Sequence, residues 1–193
     1  MSELLEKARS AFSADITDSH DRCGDDTVII RREALPKVMK ALRGEDDFAF
    51  DQVTDITAVD WYGKKSPRFE VVYHLYSYRH LHRLRVKVKV PEDDAVVDTV
   101  TGVWKGANWL EREVWDLYGI NFRGHPDMRR ILLYDEFQGH PLRKDYPIDL
   151  RQPLVPARDV DEAACSSIGA AKLDRNCEGY PANYRKQRAV KRK

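Results

Sequence analysis

Hydrophobic and polar positions alternate most cleanly in the middle of the chain. Leu84, Val86, Val88 and Val90 alternate with Arg83, Arg85, Lys87 and Lys89. Just upstream, Phe69, Val71, Tyr73 and Leu75 alternate with Glu70, Val72 and His74. Strict period two gives one buried and one wet face, as in an antiparallel sheet covered by helices on one side. Val53 to Tyr62, rich in Thr, Val, Ile and aromatics, reads as a third strand, closed by the loop Gly63-Lys64-Lys65-Ser66-Pro67. Thr27 to Ile30 is a brief apolar strand after a Gly24-Asp25-Asp26 turn. Elsewhere the period is helical. Leu4, Leu5, Ala8 and Phe12 predict a short helix over 2–12. Leu35, Val38, Met39 and Leu42 predict another over 33–43, with Pro36 in its first turn and Gly44 as its stop. The fold class is α+β: an antiparallel sheet covered on one face by helices, with an extended C-terminal tail.

A third helix follows. Asn108 and Glu111 have the spacing of an N-terminal capping arrangement, and Gly119 can end the helix in the left-handed conformation. Leu110, Val114 and Leu117 form its apolar stripe, while Trp109, Arg112, Glu113 and Asp116 gather on a neighbouring face. Arg112 and Asp116, four apart, can pair. Two readings stand side by side: a surface helix with intrahelical ion pairs, or a charged latch in which Arg and Trp anchor a partner. Under the second, Arg112 and Asp116 lie at the surface of the isolated chain.

The last stretch differs in composition. Arg151 to Pro156 holds two prolines, Asp161 to Ala171 is small and polar, and Arg185 to Lys193 is mostly basic. Such a segment has little to bury within its own domain. Leu154, Val155, Tyr180, Pro181 and Tyr184 are spaced apolar anchors. The expected organisation is a domain over 1–150 and an extended, partner-docking or flexible tail over 151–193.

Composition narrows the function classes. Of 193 residues, 42% are hydrophobic and 34% charged, which suits a globular chain with much polar surface. No run approaches the roughly 20 apolar residues of a membrane span, so membrane association is expected only through partners. The N-terminus lacks the apolar core of a secretory signal and the acid-poor bias of an organelle presequence, pointing to the cytosolic side. A net charge of +1 does not attract nucleic acid by itself. The basic stripe on 83–89 comes without an RNA-recognition motif or zinc-finger spacing, so a nucleic-acid partner is not expected. Cys23, Cys165 and Cys177 are odd in number and too far apart for a cluster, zinc site or disulfide framework. His125-Pro126 and His140-Pro141 are each preceded by Gly and read as rigid turns. The two histidines are fifteen positions apart, with no His-Glu-x-x-His helix, so a metal hydrolase built on them is not supported.

The most specific stretch is ordered and long: Glu111-Arg112-Glu113-x-x-Asp116, Leu117-Tyr118-Gly119, His125-Pro126-Asp127, Arg129-Arg130-Ile131, and Gly139-His140-Pro141-Leu142-Arg143-Lys144-Asp145-Tyr146-Pro147. It resembles the signature of the C-type, or thirty-kilodalton, subunit family of respiratory complex I, the NADH–quinone oxidoreductase. Asp55-Ile56-Thr57-Ala58-Val59-Asp60 and Arg68-Phe69-Glu70-Val71-Val72-Tyr73 resemble the same family, and the likeness covers residues 25–150. The resemblance implies a redox-inert structural subunit of the peripheral arm, without activity alone, in a proton-translocating enzyme. It implies packing against the D-type subunit near the quinone-reducing module, beside cluster-bearing neighbours. It also implies FMN and iron–sulfur clusters in partner subunits and none in this chain, on the cytoplasmic side of a bacterial inner membrane or the matrix or stromal side of an organelle. Interface or signature roles fall to Glu111, Arg112, Glu113, Asp116, His125, Pro126, Asp127, Arg129, Arg130, His140, Pro141, Arg143, Lys144 and Asp145. An equivalent subunit of a membrane-bound hydrogenase or ferredoxin-linked complex is the alternative.

Overall fold

The period-two segments form the centre of a five-stranded sheet. A computed structural model of the chain describes residues 2–152; the expected tail therefore lies outside the described residues, apart from Arg151 and Gln152. In chain order the elements are α1 (Glu3–Ala11), β1 (Ile16–His20), β2 (Thr27–Ile30), α2 (Leu35–Gly44), β3 (Gln52–Asp60), β4 (Phe69–Tyr76), β5 (Arg83–Val90), β6 (Val96–Asp98), α3 (Ala107–Tyr118) and β7 (Asn121–Arg123). The large sheet has the order β1-β2-β5-β4-β3, and β6 pairs with β7 in a small parallel ribbon. None of the helices among the described residues is long and apolar enough to cross a membrane.

The α+β architecture is as expected, but the sheet is mixed, not wholly antiparallel. Strand β2 runs parallel to β5, pairing Thr27 with Arg85 and Ile30 with Val88. The reason is connectivity. The chain leaves β2 through α2, a connection long enough to carry it across the sheet, and returns through the β3-β4-β5 meander. That meander brings β5 beside β2 pointing the same way.

Helices α1, α2 and α3 supply Leu5 and Ala8, Leu35, Val38, Met39 and Leu42, and Ala107 and Val114 to one core with the inward face of the sheet. Leu84, Val86, Val88 and Val90 are buried, as their period requires. On β4 the other face is less wet than the alternation suggests: Glu70 and Val72 are also buried. Val72 sits opposite Lys87 in the central pairing, and the Lys87 ammonium lies 3.9 Å from the Glu70 carboxylate. Long basic side chains laid across a sheet cover apolar neighbours with their stems.

Helix α3 packs on the inner face near β3, and its register departs from the sequence reading. It begins at Ala107 with Gly106 before it, and among the described residues no side chain caps its first turn. Asn108 is therefore inside the helix, and Glu111 is drawn away to the interior. Gly119 does end the helix, at φ 76° in the left-handed region. The stripe residue Val114 is buried, but Glu111, Arg112 and Asp116 are buried as well, while Leu110 and Leu117 are only half-buried. Beyond β7 the chain to residue 152 forms neither helix nor strand and returns over α3.

Candidate functional site

Four groups of bonds tie α3 to the turn before it and the returning segment to α3 and the sheet, and they use most of the charged signature. At the helix core, Glu111 accepts from the Val100 backbone N–H at 2.7 Å and from the Thr99 hydroxyl at 2.5 Å. Thr99 Oγ1 also lies 2.9 Å from the Thr101 hydroxyl and accepts from the Thr101 N–H. Burial pushes the Glu111 carboxyl up to about 7, against the downward pull of the Thr99 and Val100 bonds. His125 Nε2 lies 4.0 Å from Glu111 Oε2, and both side chains are wholly enclosed. The Tyr73 hydroxyl, buried in the same interior, has no hydrogen-bond partner among the described residues, and its ionisation is pushed well up by burial and by Glu111 and Asp98.

One face of α3 holds the loop over 129–133. Arg112 does not pair with Asp116; its guanidinium donates to the carbonyls of Arg129 and Arg130 at 2.9 and 3.0 Å and lies over the Trp109 ring. Asp116 accepts three successive backbone N–H groups, from Ile131, Leu132 and Leu133, and takes Arg130 as its charge partner at 2.6 Å. Burial acts to raise the Asp116 carboxyl, but these four donors outweigh it and hold it below the usual range. Both residues are buried, contrary to the surface position expected of them. An Asp at i+4 is a poor competitor for an arginine that can reach two otherwise bare carbonyls.

The two His-Pro pairs are turns, as read, with imidazoles bonded to backbone. His125 Nδ1 accepts from the Asp127 N–H at 3.1 Å, which leaves the ring proton on Nε2 to donate to the Asn108 carbonyl at 3.2 Å. His140 Nδ1 lies 3.0 Å from the Asp116 carbonyl, and the Leu142 N–H donates to the Leu117 carbonyl. The His140 ring sits against Gly119 so closely that a β-carbon there would be 2.6 Å from His140 Cδ2. Gly119 is thus required twice, for its φ and for this contact. Pro126 and Pro141 follow the two imidazoles, and Asp127 forms an exposed bidentate pair with Arg129.

The fourth group centres on Arg68. Its guanidinium makes a fork to Asp60 at 2.9 and 2.8 Å, reaches Asp145 at 2.7 Å, and touches Glu92. Asp60 also accepts the Lys144 and Tyr62 backbone N–H groups, and Arg143 bridges Glu92 and Asp145. Arg68 is buried. Chiefly its hydrogen bonds hold Asp145 far below the usual carboxylate range. For Asp60 burial pushes up, and the bonds from Arg68, Lys144 and Tyr62 push further down.

Asp60, Arg68, Glu92 and Thr99 are not among the residues that the sequence singles out. Asp60 and Arg68 do stand at the facing ends of two segments that carry the family resemblance, paired through Asp60–Phe69 across the β3-β4 hairpin. That placement is the available signal. Of the residues that the sequence does single out, Glu111, Arg112, Asp116, His125, Arg130 and His140 converge on α3, and Arg143, Lys144 and Asp145 converge on Arg68. Glu113 faces solvent. Chemically, these groups fasten: nearly all hold a backbone group or a fixed counter-charge.

Residues 28–152 match the family model described as respiratory-chain NADH dehydrogenase, 30 Kd subunit. The chain is 51% identical over 142 residues to the C-type subunit of the NADH-quinone oxidoreductase of Geobacter metallireducens, covering 74% of this chain and 86% of that protein. Among solved structures it is similar to Nqo5 in its trypsin-resistant fragment (1–134), at 36% identity and a TM-score of 0.57, covering 64% of this chain and 96% of the fragment. It shares its fold with a chain of an archaeal membrane-bound sulfane sulfur reductase, at 21% identity and a TM-score of 0.64, over 93% of this chain and 98% of the other.

Proposed function

Because this chain belongs to the 30 Kd subunit family of the respiratory-chain NADH dehydrogenase, we propose that it is a redox-inert structural subunit of that complex's peripheral arm. In this reading it packs against the D-type subunit near the quinone-reducing module. Flavin and iron–sulfur clusters belong to partner subunits, and the chain reaches the membrane only through them, on the cytoplasmic side or its organellar equivalent.

One observation carries the reading. The charged signature is spent inside the chain, where Arg112, Asp116, His125 and His140 bond mainly to backbone groups and shape a surface. Groups so committed are positioned to hold loops rather than to exchange protons or electrons with a substrate. The test is direct. Iron, flavin and zinc are quantified in the purified chain, NADH oxidation is assayed, and proteins retained by the tagged chain from detergent-extracted membranes are identified. No cofactor in stoichiometric amount, no activity alone and co-retention of other oxidoreductase subunits are expected. A stoichiometric cofactor, or NADH oxidation by the chain alone, overturns the reading.

A further inference from the structure

We propose that Trp109 on α3 and Leu132 on the loop laid along it form a docking surface for another polypeptide of the same assembly, one that presents an apolar recess rimmed by basic side chains. This rests on the reading that the chain works as a subunit, and it says where a partner sits and with what charge.

Trp109 is 63% exposed and Leu132 is 59% exposed. The backbone of Leu132 is tied to the face of α3 that carries Trp109. Positions 109, 112, 113 and 116 fall within one face of a helix at 100° per residue, and Leu132 hangs from Asp116 by its backbone N–H. At 1.5 Å per residue the two apolar side chains are attached roughly 10 Å apart along the helix.

Both are anchored from below. The Arg112 guanidinium lies 5.3 Å from the Trp109 ring centroid while bonded to the Arg129 and Arg130 carbonyls. Asp116 grips the backbone of 131–133 through three N–H groups. An apolar side chain kept in water on a pre-ordered backbone loses little freedom when it is covered. Tryptophan is also among the residues most enriched at the energetic centres of protein interfaces. The buried charges therefore serve as the scaffold of the contact, and the apolar pair is the contact.

The sign of the rim follows from which charges are left over. The arginines around the patch are matched: Arg129 to Asp127 and Arg130 to Asp116, with Arg112 on two carbonyls. Glu113, on the Trp109 face, and Asp135 and Glu136, just past Leu132, are exposed and make no ion pair among the described residues. Glu113 and Glu136, with Asp135 sharing at a distance the Arg129 already paired to Asp127, leave the strip's edge net acidic and call for Lys or Arg around the recess that receives it. A membrane surface, with its anionic headgroups, would be repelled by the same rim.

The experiment uses the full chain in its host. Trp109 is replaced by a photo-reactive benzoyl-phenylalanine, membranes are irradiated, and the cross-linked residue is mapped. The expected product joins residue 109 to one other polypeptide of the assembly, at a site with Lys or Arg within a few positions. Separately, tagged Trp109→Ser, Leu132→Ser and Glu113→Lys chains compete with wild type for assembly. Each is expected to be retained at least about ten-fold less well, with a melting temperature unchanged from wild type for at least one of the apolar variants. Cross-links to lipid, to a second copy of this chain or to its own residues 153–193 overturn the inference, as does full retention of both apolar variants. If tagged wild type retains no other oxidoreductase polypeptide, the subunit reading fails and takes this one with it. If wild type retains partners and the apolar variants do too, the docking inference alone fails.

Discussion

Replacing Glu111 by glutamine should stabilise the protein at neutral and alkaline pH and leave it nearly unchanged only below about pH 4.5. The carboxyl is fully buried, its oxygens meet one N–H and one hydroxyl, and it is pushed up to about 7 from an ordinary 4.5. Glutamine reproduces the bonds of the neutral acid: its carbonyl can accept from Val100, and its amide can donate to Thr99 Oγ1. A folded value above the unfolded one means the acid contributes stability fully below pH 4.5. That contribution drains away as pH rises through about 7. The whole difference is worth about 3 kcal/mol at about 1.4 kcal/mol per tenfold. Urea unfolding of both proteins at pH 5, 6, 7 and 8 reads it out, as the difference between glutamine variant and wild type. The expected difference in favour of glutamine is about 1 kcal/mol at pH 5, about 2 kcal/mol at pH 6 and about 3 kcal/mol at pH 7, with little further rise to pH 8. Comparing the two proteins removes the opposing acid-range contributions of Asp60, Asp116 and Asp145, which are common to both. A difference that stays flat from pH 5 to 8 would refute the reasoning, because it would show that Glu111 does not titrate there in the fold.

Double-mutant cycles on urea unfolding should show Asp116 coupled to Arg130 by about 1–3 kcal/mol, and to Arg112 much more weakly. Asp116→Asn alone strands the half-buried Arg130 and should cost about 3–5 kcal/mol. Gly119→Ala should lower stability by more than about 1 kcal/mol from its left-handed φ alone. The added Cβ contact should be relieved in a Gly119→Ala, His140→Ala double variant, so thermal unfolding of that variant recovers part of the loss. Arg68→Met should lessen the depression of Asp60 and Asp145, leaving the share held by Lys144, Tyr62 and Arg143. Since those carboxylates stabilise the fold above their unfolded value near 3.8 and lose that contribution as pH falls below it, acid unfolding monitored by circular dichroism should show a shallower acid limb in the variant.

The sheet is legible because Leu84 to Val90 alternate without a break, and a one-residue slip would turn four apolar side chains into water. Strand β1 is not, since Ile16-Thr17-Asp18-Ser19-His20 carries one large apolar residue and is an edge. The parallel β2–β5 pairing depends on which way the meander folds back, and no local period encodes that. At α3 the stop is readable because Gly119 is the residue that a left-handed cap demands. The start is not, because the Asn108–Glu111 spacing fits a cap only if Glu111 has no better donor, and Val100 and Thr99 supply two. Arg112 and Asp116 escape for the same reason. An i, i+4 rule sees four residues along the helix, while the true partners return from 14 to 18 positions downstream. The two His-Pro turns are readable in kind because proline acts locally.

The parallel junction at the middle of the sheet has a consequence for synthesis. Strands β3, β4 and β5 are joined by short links and can pair as soon as each emerges, but β2 must wait for β5, its neighbour across the Thr27–Arg85 register. At elongation rates of about 5–20 residues per second, that wait is about 3 to 12 seconds. Throughout it, the edge of the β1–β2 hairpin and the apolar side chains of Val28 and Ile30 are open to whatever binds nascent chains. The sheet's centre therefore closes well after its first half is made, and until then the first thirty residues stay open to a ribosome-bound chaperone.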